Sequence, residues 1–506
     1  MAPAPQRESK RRRTYMCSRC GFPKGHVCAA ADADCGGPQQ LLLTSPEAEK
    51  KRKADGAAAS QDRPQTDNIS ALPDDVLRSI ISFLPTVQAA QTQALSSRCR
   101  SLWRHAPLNL DEGELNLWED FILGAISTIL SAHDGPVWRF SVTKLARVNE
   151  FRGDIVATLD AMLRHQTLSS LSELRLHYRP STTAPDPLPP AALRFSLLRV
   201  ASFGHCSLPD TDGAIGPGGV VFPNLQELTL LDISNSEATL HAIVSACPAI
   251  RSLLLCDNDA FRRVQIRSRT LVSLGLCSRS SQLEEVELVI EDTPNLEKLL
   301  MFRSARKLPR VARVISAPKL EVLGCLSNGV SEQVFGMTYI MPQTLMVDSI
   351  AMLRTVKILA FRIDETSLTA AIHVLRCFPC LHKLDITLAE GLFIQIVHNG
   401  AIHNAATVEC LDFHLKEMML RNYRCKKSYA AFAKFFVMNA RVLELLTIRT
   451  CVGLNKRWLS SHRKLLCLKN KASANTRIEF SADDYFVDYK HAERTHQLSV
   501  ADPFDD

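Results

Sequence analysis

The chain has 506 residues, of which 46% are hydrophobic, and a formal net charge of +7 at pH 7. This length and composition predict packed structure in more than one unit. The chain lacks the run of about 18 apolar residues that a membrane-spanning helix needs, and its charged N-terminus lacks the apolar core of a secretion signal. We therefore expect a protein of the nucleus, the cytoplasm or both, with no membrane partner. Its sixteen cysteines are too sparse for a disulfide scaffold.

Most of the positive charge lies in residues 1–66, which contain twelve basic and seven acidic residues. The second half of this segment is rich in Ala, Gln and Pro and has little to bury, so we predict a largely disordered basic tail. The remaining body is nearly neutral, which argues against a broad nucleic-acid-binding face there. Two basic clusters in the tail suit nuclear import, with a solvated, solubilising tail as the alternative. Their residues are Lys10, Arg11, Arg12 and Arg13, and Lys50, Lys51, Arg52 and Lys53.

The tail also contains a string of Cys and His residues, at 17–35, that suits a metal ion. A Cys-x-x-Cys turn can present two thiolates to one zinc, and a His and a third Cys can complete a tetrahedron. The candidate ligands are Cys17, Cys20, His26 and Cys28. The spacing resembles a zinc knuckle but brings the last two ligands closer together, and Cys35 can replace one of them. The alternative is a set of thiols in a flexible tail. Beyond this candidate structural zinc, we expect no required cofactor.

A group of short helices is predicted between residues 72 and 107. Pro73 suits a first helical turn, and Pro85 ends the helix that follows. Between them, five apolar residues recur at the spacing of one helical face. They are Val76, Leu77, Ile80, Ile81 and Leu84. This segment is too short for an independent core, so its apolar faces must pack against something else. By pattern alone, a docking module and the core of a small helical subdomain are equally compatible.

The string LPDDVLRSIISFLP, followed by LSSRCRSLW, resembles the F-box. The F-box is the helical motif that binds a Skp-type adaptor and thereby a cullin-based ubiquitin ligase. We assign residues 67–110 to it. The string departs from the common pattern at Gln91 and Cys99. The resemblance implies that the fold and adaptor surface of the F-box are built by Leu72, Pro73, Leu77, Ile80, Ile81, Leu84, Pro85 and Trp103.

Short leucine-rich segments recur after the F-box, at intervals of 21 to 27 residues over most of the region. They begin at residues 171, 225, 250, 271, 296, 320, 356, 381 and 408. Such intervals are typical of leucine-rich repeats, in which each short strand returns through a segment that stacks on its neighbours. Residues 238–250 and 368–381 have the apolar spacing of helical returns. We predict an irregular solenoid over residues 111–410, with parallel strands and helical or irregular returns.

The region 411–484 differs from the repeats, because an aromatic helix face precedes a strand, a second helix and a last short strand. The aromatic face comprises Tyr429, Phe432 and Phe436, with Phe435 on its flank. LKEMMLRNYR and FAKFFVMNARVLELLTI, with the region around Trp458, resemble the FBD domain of plant F-box proteins with leucine-rich repeats. The predicted fold class is therefore α/β: a helical F-box, a solenoid and an α+β cap. Residues 485–506 would form a C-terminal tail.

The resemblance implies a non-catalytic substrate receptor of a Skp-cullin-F-box ubiquitin ligase, whose repeats bind an unknown target protein. No phosphate-binding loop, nucleophile elbow or metalloprotease motif indicates an enzyme. One alternative is a nuclear interaction scaffold without ligase activity, whose basic, zinc-binding tail binds nucleic acid. Nucleic-acid binding by that tail would weaken steeply with salt.

Overall fold

The computed structural model describes most of the chain after residue 68, and the structural findings below concern these residues. The described residues are 69, 71–115, 119–145, 155–180, 184–209, 219, 221–258, 261–278, 287–303, 311–327, 332–336, 338–340, 353–363, 368–388, 408–424, 427–450, 456–466, 468–482 and 492–505.

The described helices are short and fall mainly at the two ends of this region. They are α1 (Asp74–Phe83), α2 (Thr86–Gln91), α3 (Ser97–His105), α4 (Glu119–Ala132), α5 (Ile155–Leu163), α6 (Glu237–Ser245), α7 (Leu368–Arg376), α8 (Glu409–Phe413), α9 (Lys427–Asn439) and α10 (Lys456–Leu465). None of these described helices is both long and apolar enough to cross a membrane. Residues 238–250 and 368–381, predicted as helical returns, contain α6 and α7.

Strands dominate the region between the helices. They are β1 (Leu108–Asp111), β2 (Val137–Leu145), β3 (Glu173–Tyr178), β4 (Asp186–Pro187), β5 (Val200–Gly204), β6 (Cys206–Ser207), β7 (Glu227–Leu231), β8 (Ser252–Cys256), β9 (Arg263–Ile266), β10 (Ser273–Ser278), β11 (Glu287–Ile290), β12 (Lys298–Arg303), β13 (Val311–Val314), β14 (Val322–Ser327), β15 (Glu332–Phe335), β16 (Thr338–Ile340), β17 (Ile358–Ile363), β18 (Lys383–Leu388), β19 (Glu417–Tyr423), β20 (Leu445–Thr450) and β21 (Arg477–Ala482).

One parallel sheet of fourteen strands forms the repeat region, as the leucine spacing predicts. Its order is β1-β2-β3-β5-β7-β8-β10-β12-β14-β17-β18-β19-β20-β21. The strands pair so that most repeats place a leucine against a leucine of the next. Leu253, for example, is the register partner of both Leu228 and Leu274. All three are at most 1% exposed, so the repeats share one continuous apolar core.

Strands also replace helices as the return segments in the middle of the repeats. β9, β11, β13 and β15 form a second parallel sheet, with β16 antiparallel at its edge. Alternate residues of β9 and β13 are buried, among them Ile266 and Val314, whereas β11 buries three consecutive residues that end at Ile290. A period of two with β-branched residues favours strands over helices. We predicted helical or irregular returns. The structure differs from that prediction, because these return segments are regular strands of a second sheet.

One predicted strand is wrong. The segment that begins at residue 408 is the short helix α8, and the strand of that repeat, β19, begins at Glu417. Cys410 and Leu411 are both buried although they are neighbours, which a helix against the core allows and a strand with one exposed face does not. Six residues are too few to separate the helical period from the strand period.

The C-terminal strands β19, β20 and β21 continue the large sheet in parallel. The aromatic face of α9 packs beneath them, with Tyr429, Phe432 and Phe436 at most 3% exposed and Phe435 partly buried. The Tyr423 ring meets Tyr429 and Trp458 edge-on, at 6.0 and 6.4 Å between centroids. The predicted aromatic helix face is therefore confirmed as packing in the last repeats.

Candidate docking surfaces

Helix α1 of the N-terminal helical group has apolar residues on two sides, and the structure separates them. Leu77 and Ile81 are buried, at 7% and 5% exposed. Val76 and Ile80 lie beside them in sequence but are 42% and 46% exposed, and Phe83 is 75% exposed. The spacing of i, i+4 and i+7 places these last three residues on one helical face. We call Val76, Ile80 and Phe83 the exposed stripe.

The remaining site residues predicted from the sequence also divide between core and surface. Trp103 is 8% exposed and belongs to the core. Leu72 and Leu84 are partly buried and pack against that core, and Pro85 is half-buried, whereas Pro73 is exposed. Periodicity could not make this division, because both faces of α1 carry apolar residues.

Helix α3 holds the start of α1 in place. The Arg98 guanidinium donates to Asp74 Oδ1 at 2.6 and 2.8 Å and to the Leu72 carbonyl at 2.6 Å. Ser96 caps α3 by accepting a hydrogen bond from the Cys99 amide at 3.0 Å. Gln91 ends α2 and is exposed. The two departures from the F-box pattern, Gln91 and Cys99, therefore lie in regular helices.

The helical group is joined to the repeats by packing and by hydrogen bonds. Its buried residues belong to the same apolar cluster as the repeat core. Trp138 of β2 donates from Nε1 to the Ser82 carbonyl at 3.1 Å, and its ring meets Phe83 edge-on at 6.4 Å between centroids. Thr86 donates from its hydroxyl to the Asn109 carbonyl of β1. Residues of the first repeats thus contact the end of α1 and the start of α2.

A second join lies at the end of α3. His133, at the end of α4, donates from Nε2 to the Ala106 carbonyl at 2.9 Å, and its ring lies 5.0 Å from that of Trp103. Burial lowers the pKa of His133 below its ordinary value. A Cβ atom on Gly135 would lie 2.4 Å from the Ala106 oxygen, so this close approach requires glycine. The sequence offered no signal for Trp138, His133 or Gly135, since their partners are distant in the chain.

The candidate zinc ligands and the two basic clusters lie outside the described residues. Among the residues that the structure does describe, no group of three or more His, Cys, Asp or Glu side chains could hold a metal ion. Cys377 belongs to the only Cys-x-x-Cys spacing within them. It is 2% exposed, and burial raises the pKa of its thiol to about 11. This environment suits packing rather than redox chemistry.

Comparison with known proteins gives matches for the N-terminal helices, the repeats and the C-terminal region described above. A family model of the F-box domain matches residues 69–111. A model described as the leucine-rich repeats of the FBD-associated F-box protein At5g56370 matches residues 159–386, and an FBD model matches residues 404–448.

Several curated relatives come from Arabidopsis thaliana. FBD-associated F-box protein At5g56370 is 24% identical over 427 residues, which cover 79% of this chain and 97% of the relative. Putative FBD-associated F-box protein At5g56440 is 28% identical over 281 residues, covering 52% of this chain and 63% of the relative. FBD-associated F-box protein At5g60610 is 31% identical over 238 residues, covering 46% and 57%. For At5g56440 and two further Arabidopsis relatives, the match spans only 63%, 54% and 52% of the relative's own length.

Fold and surfaces together define a leucine-rich-repeat protein with an N-terminal group of short helices that exposes an apolar stripe. The three family models match successive regions of the chain and, with the Arabidopsis relatives, support a plant protein that combines an F-box, leucine-rich repeats and an FBD domain. Proteins with an F-box and leucine-rich repeats act in general as substrate adaptors in the ubiquitin pathway.

Proposed function

We propose that this chain is the substrate-recognition subunit of a Skp-cullin-F-box ubiquitin ligase. Its F-box binds a Skp-type adaptor and through it a cullin, and its repeats bind a target protein for ubiquitination. The observation that carries the proposal is the exposed stripe. Three large apolar side chains lie on the solvent-exposed side of a helix whose opposite side is already packed.

The stripe has the composition of the centre of a protein interface. An apolar or aromatic side chain that becomes fully buried contributes about 1.5–3 kcal/mol, and a few such side chains dominate most interfaces. Phe83 is the most exposed of the three and projects beside Trp138, which holds its ring edge-on. Val87 on α2 and Leu95 before α3 are also exposed, at 39% and 76%, and enlarge the apolar area that an adaptor would cover.

The join between the F-box and the repeats supports a role in positioning. Because both share one apolar cluster, a target bound to the repeats would keep a fixed place relative to the adaptor. A conjugating enzyme brought by the cullin would then meet a target lysine at raised effective concentration. In this proposal the chain itself performs no covalent chemistry.

Co-purification with a Skp-type adaptor tests the proposal. We expect the wild-type chain to retain the adaptor and the variant Ile80→Asp/Phe83→Asp to lose it, because carboxylates would be buried at the interface. The control is Phe413→Asp on α8, since Phe413 is 68% exposed and lies outside the F-box. Adaptor binding by the stripe variant, or none by a folded wild-type chain, would contradict the proposal.

A further inference from the structure

The large sheet has a second apolar surface, on the face opposite to the leucine core. Side chains alternate between the two faces of a strand, so the residues between the core leucines point away from the core. On β8, β10, β12 and β14 many of these outward residues are apolar and buried. They are Leu254, Cys256, Cys277, Leu300, Phe302 and Val322. We call this surface the outer face.

Residues 492–505 cover the outer face, and we call them the C-terminal segment. Ala492 and Phe504 belong to the same apolar cluster as the outer-face residues and are 3% and 7% exposed. The Phe504 ring lies 6.5 Å from that of Phe302. At the other end, a Cβ atom on Gly275 of β10 would lie 2.1 Å from Thr495 Oγ1. The segment therefore lies directly on the strands.

A buried lysine holds the main chain of this segment. Lys298 of β12 is 5% exposed, and its ammonium group has three N–H donors. It donates to the carbonyl oxygens of Gln497, Leu498 and Val500 at 3.4, 3.0 and 2.5 Å. Since these acceptors are main-chain atoms, Lys298 would hold any peptide that follows the same path.

The acidic end of the segment meets basic residues of later repeats. Lys383 of β18 lies 2.6 Å from Asp502 and 3.3 Å from Asp505, measured from its Nζ atom to the carboxylate oxygens. Arg421 of β19 donates to the Phe504 carbonyl at 2.5 Å and is itself paired with buried Asp385 at 2.8 Å. The outer face thus presents an apolar patch bordered by cationic groups.

The segment remains open on one side. A cleft of about 340 Å³ lies alongside residues 496–500, lined on the sheet side by Gln226, Glu227 and Arg251. Ser499, Ala501 and Asp505 are exposed. Apart from the short Thr495 approach, the sheet contacts the segment through its carbonyl groups, the Phe504 ring, its carboxylates and the His496 imidazole, which lies between the hydroxyl groups of Thr229 and Ser252. A segment of another protein can supply all of these groups.

We propose that the outer face is a docking site for a protein segment that carries an aromatic residue beside carboxylates, and that the C-terminal segment occupies it internally until such a partner replaces it. This inference rests on the proposed function, because the partner would be the target that the receptor presents. Lys298 would bind the partner's main chain, the apolar patch its aromatic ring, and Lys383 its carboxylates.

The test compares the full wild-type chain with a release variant, Asp502→Asn/Phe504→Ala, which removes the Phe504 ring and one of the two carboxylate charges near Lys383. The probe is a fluorescent peptide of residues 490–506 with the wild-type sequence. We expect the probe to bind the release variant about tenfold or more tightly than the wild type, since loss of one buried Phe weakens the internal competitor by at least that factor.

Two controls define the contacts. A probe with Phe504→Ala should lose binding, and so should the release variant that also carries Lys298→Met, which keeps the side-chain length but removes the donors. If the release variant does not fold, Asp505→Asn at an exposed position should shift probe binding less, in the same direction.

Two results would overturn the inference. A folded release variant that does not bind the probe would show that the outer face is not a peptide site. Equal probe binding by wild type and release variant would show that the C-terminal segment does not compete for it. The assay contains no adaptor, so its result is independent of whether the F-box binds one.

Discussion

The exposed stripe of the F-box and the outer face of the sheet are both apolar, but they differ in what covers them. The stripe leaves Phe83 at 75% exposed, whereas Phe302 on the outer face is 4% exposed beneath the C-terminal segment. An uncovered apolar surface of this kind marks an interaction site. In our proposals, a separate chain binds the exposed stripe directly, whereas a partner of the outer face must first displace the C-terminal segment.

The largest effect should come from the inner side of α1. Leu77→Asp places a carboxylate among core residues, and we expect a loss of about 3 kcal/mol or more in the free energy of unfolding of the F-box. Adaptor binding should vanish while the strands of the repeats stay folded. Denaturant unfolding, followed by circular dichroism and by adaptor co-purification, measures both. Retained adaptor binding would show that the adaptor does not need the packed inner side of α1.

The outer side of α1 should behave in the opposite way. Phe83→Ala should weaken adaptor binding by about 2 kcal/mol, the scale of a buried aromatic anchor, and change the free energy of unfolding by less than about 0.5 kcal/mol. Titration calorimetry with the adaptor gives the first quantity. Phe121→Ala on α4 is the matched control, because Phe121 is 66% exposed. Equal losses in both variants would remove the distinction between the stripe and other exposed residues.

The C-terminal segment can be displaced from the outer face by a substitution on the sheet, without a change in the segment itself. Gly275→Ala introduces a methyl group where Thr495 Oγ1 would lie 2.1 Å away, so the C-terminal segment should detach near Thr495. Amide hydrogen exchange of residues 492–500 should accelerate about tenfold, which corresponds to roughly 1.4 kcal/mol. The second change Thr495→Ala removes both Thr495 atoms that would clash and leaves Leu254 Cδ1, the end of a flexible side chain, as the remaining close neighbour, so it should restore slow exchange. Unrestored exchange in the double variant would point to damage within β10 instead.

Acidification should weaken docking of the C-terminal segment by a smaller amount. His496 lies between the hydroxyl groups of Thr229 and Ser252, at 2.7 and 2.8 Å. Burial, and then the charge of Arg175, lowers its pKa to about 4. The detached segment would bind a proton near the ordinary His value, so docking is favoured above that pH and is lost as the pH falls toward 4.

Between pH 7.5 and 5.5 we expect docking of the segment to weaken about tenfold at most, measured as faster amide hydrogen exchange of residues 492–500 after correction for the pH dependence of intrinsic exchange. Arg251 and Glu227 line the same cleft, and burial raises the pKa of Glu227, so Glu227 is the second group that can titrate there. His496→Gln keeps a hydrogen-bonding side chain without the titration. A pH step of unchanged size in this variant would assign the effect to Glu227.

The sequence predicted the parts of the fold that local periodicity encodes. The core strands follow from their leucines, because one inward residue in two is a short-range pattern. The partition of α1 could not be predicted, since it depends on Leu77 and Ile81 packing into an apolar cluster that residues distant in sequence complete. Leu77 and Ile80 have similar chemistry and differ only in which side of the helix they occupy.

The C-terminal segment escaped prediction for a different reason. Residues 485–506 are polar and lack a repeating apolar pattern, which suits a tail. The described residues among them, 492–505, make their contacts through main-chain carbonyls, carboxylates and the His496 imidazole. Their partners are far away in sequence, such as Thr229, which lies 267 positions from His496. Such pairings leave no local pattern in the sequence, so they can be recognised only in the folded structure.

The most direct test of the central claim is amide hydrogen exchange of the full chain with and without a Skp-type adaptor. The account predicts that adaptor binding slows exchange in α1 and α2 and leaves residues 492–505 unchanged, because the two surfaces serve different partners. Slower exchange on the outer face or in the C-terminal segment, with α1 unaffected, would contradict it.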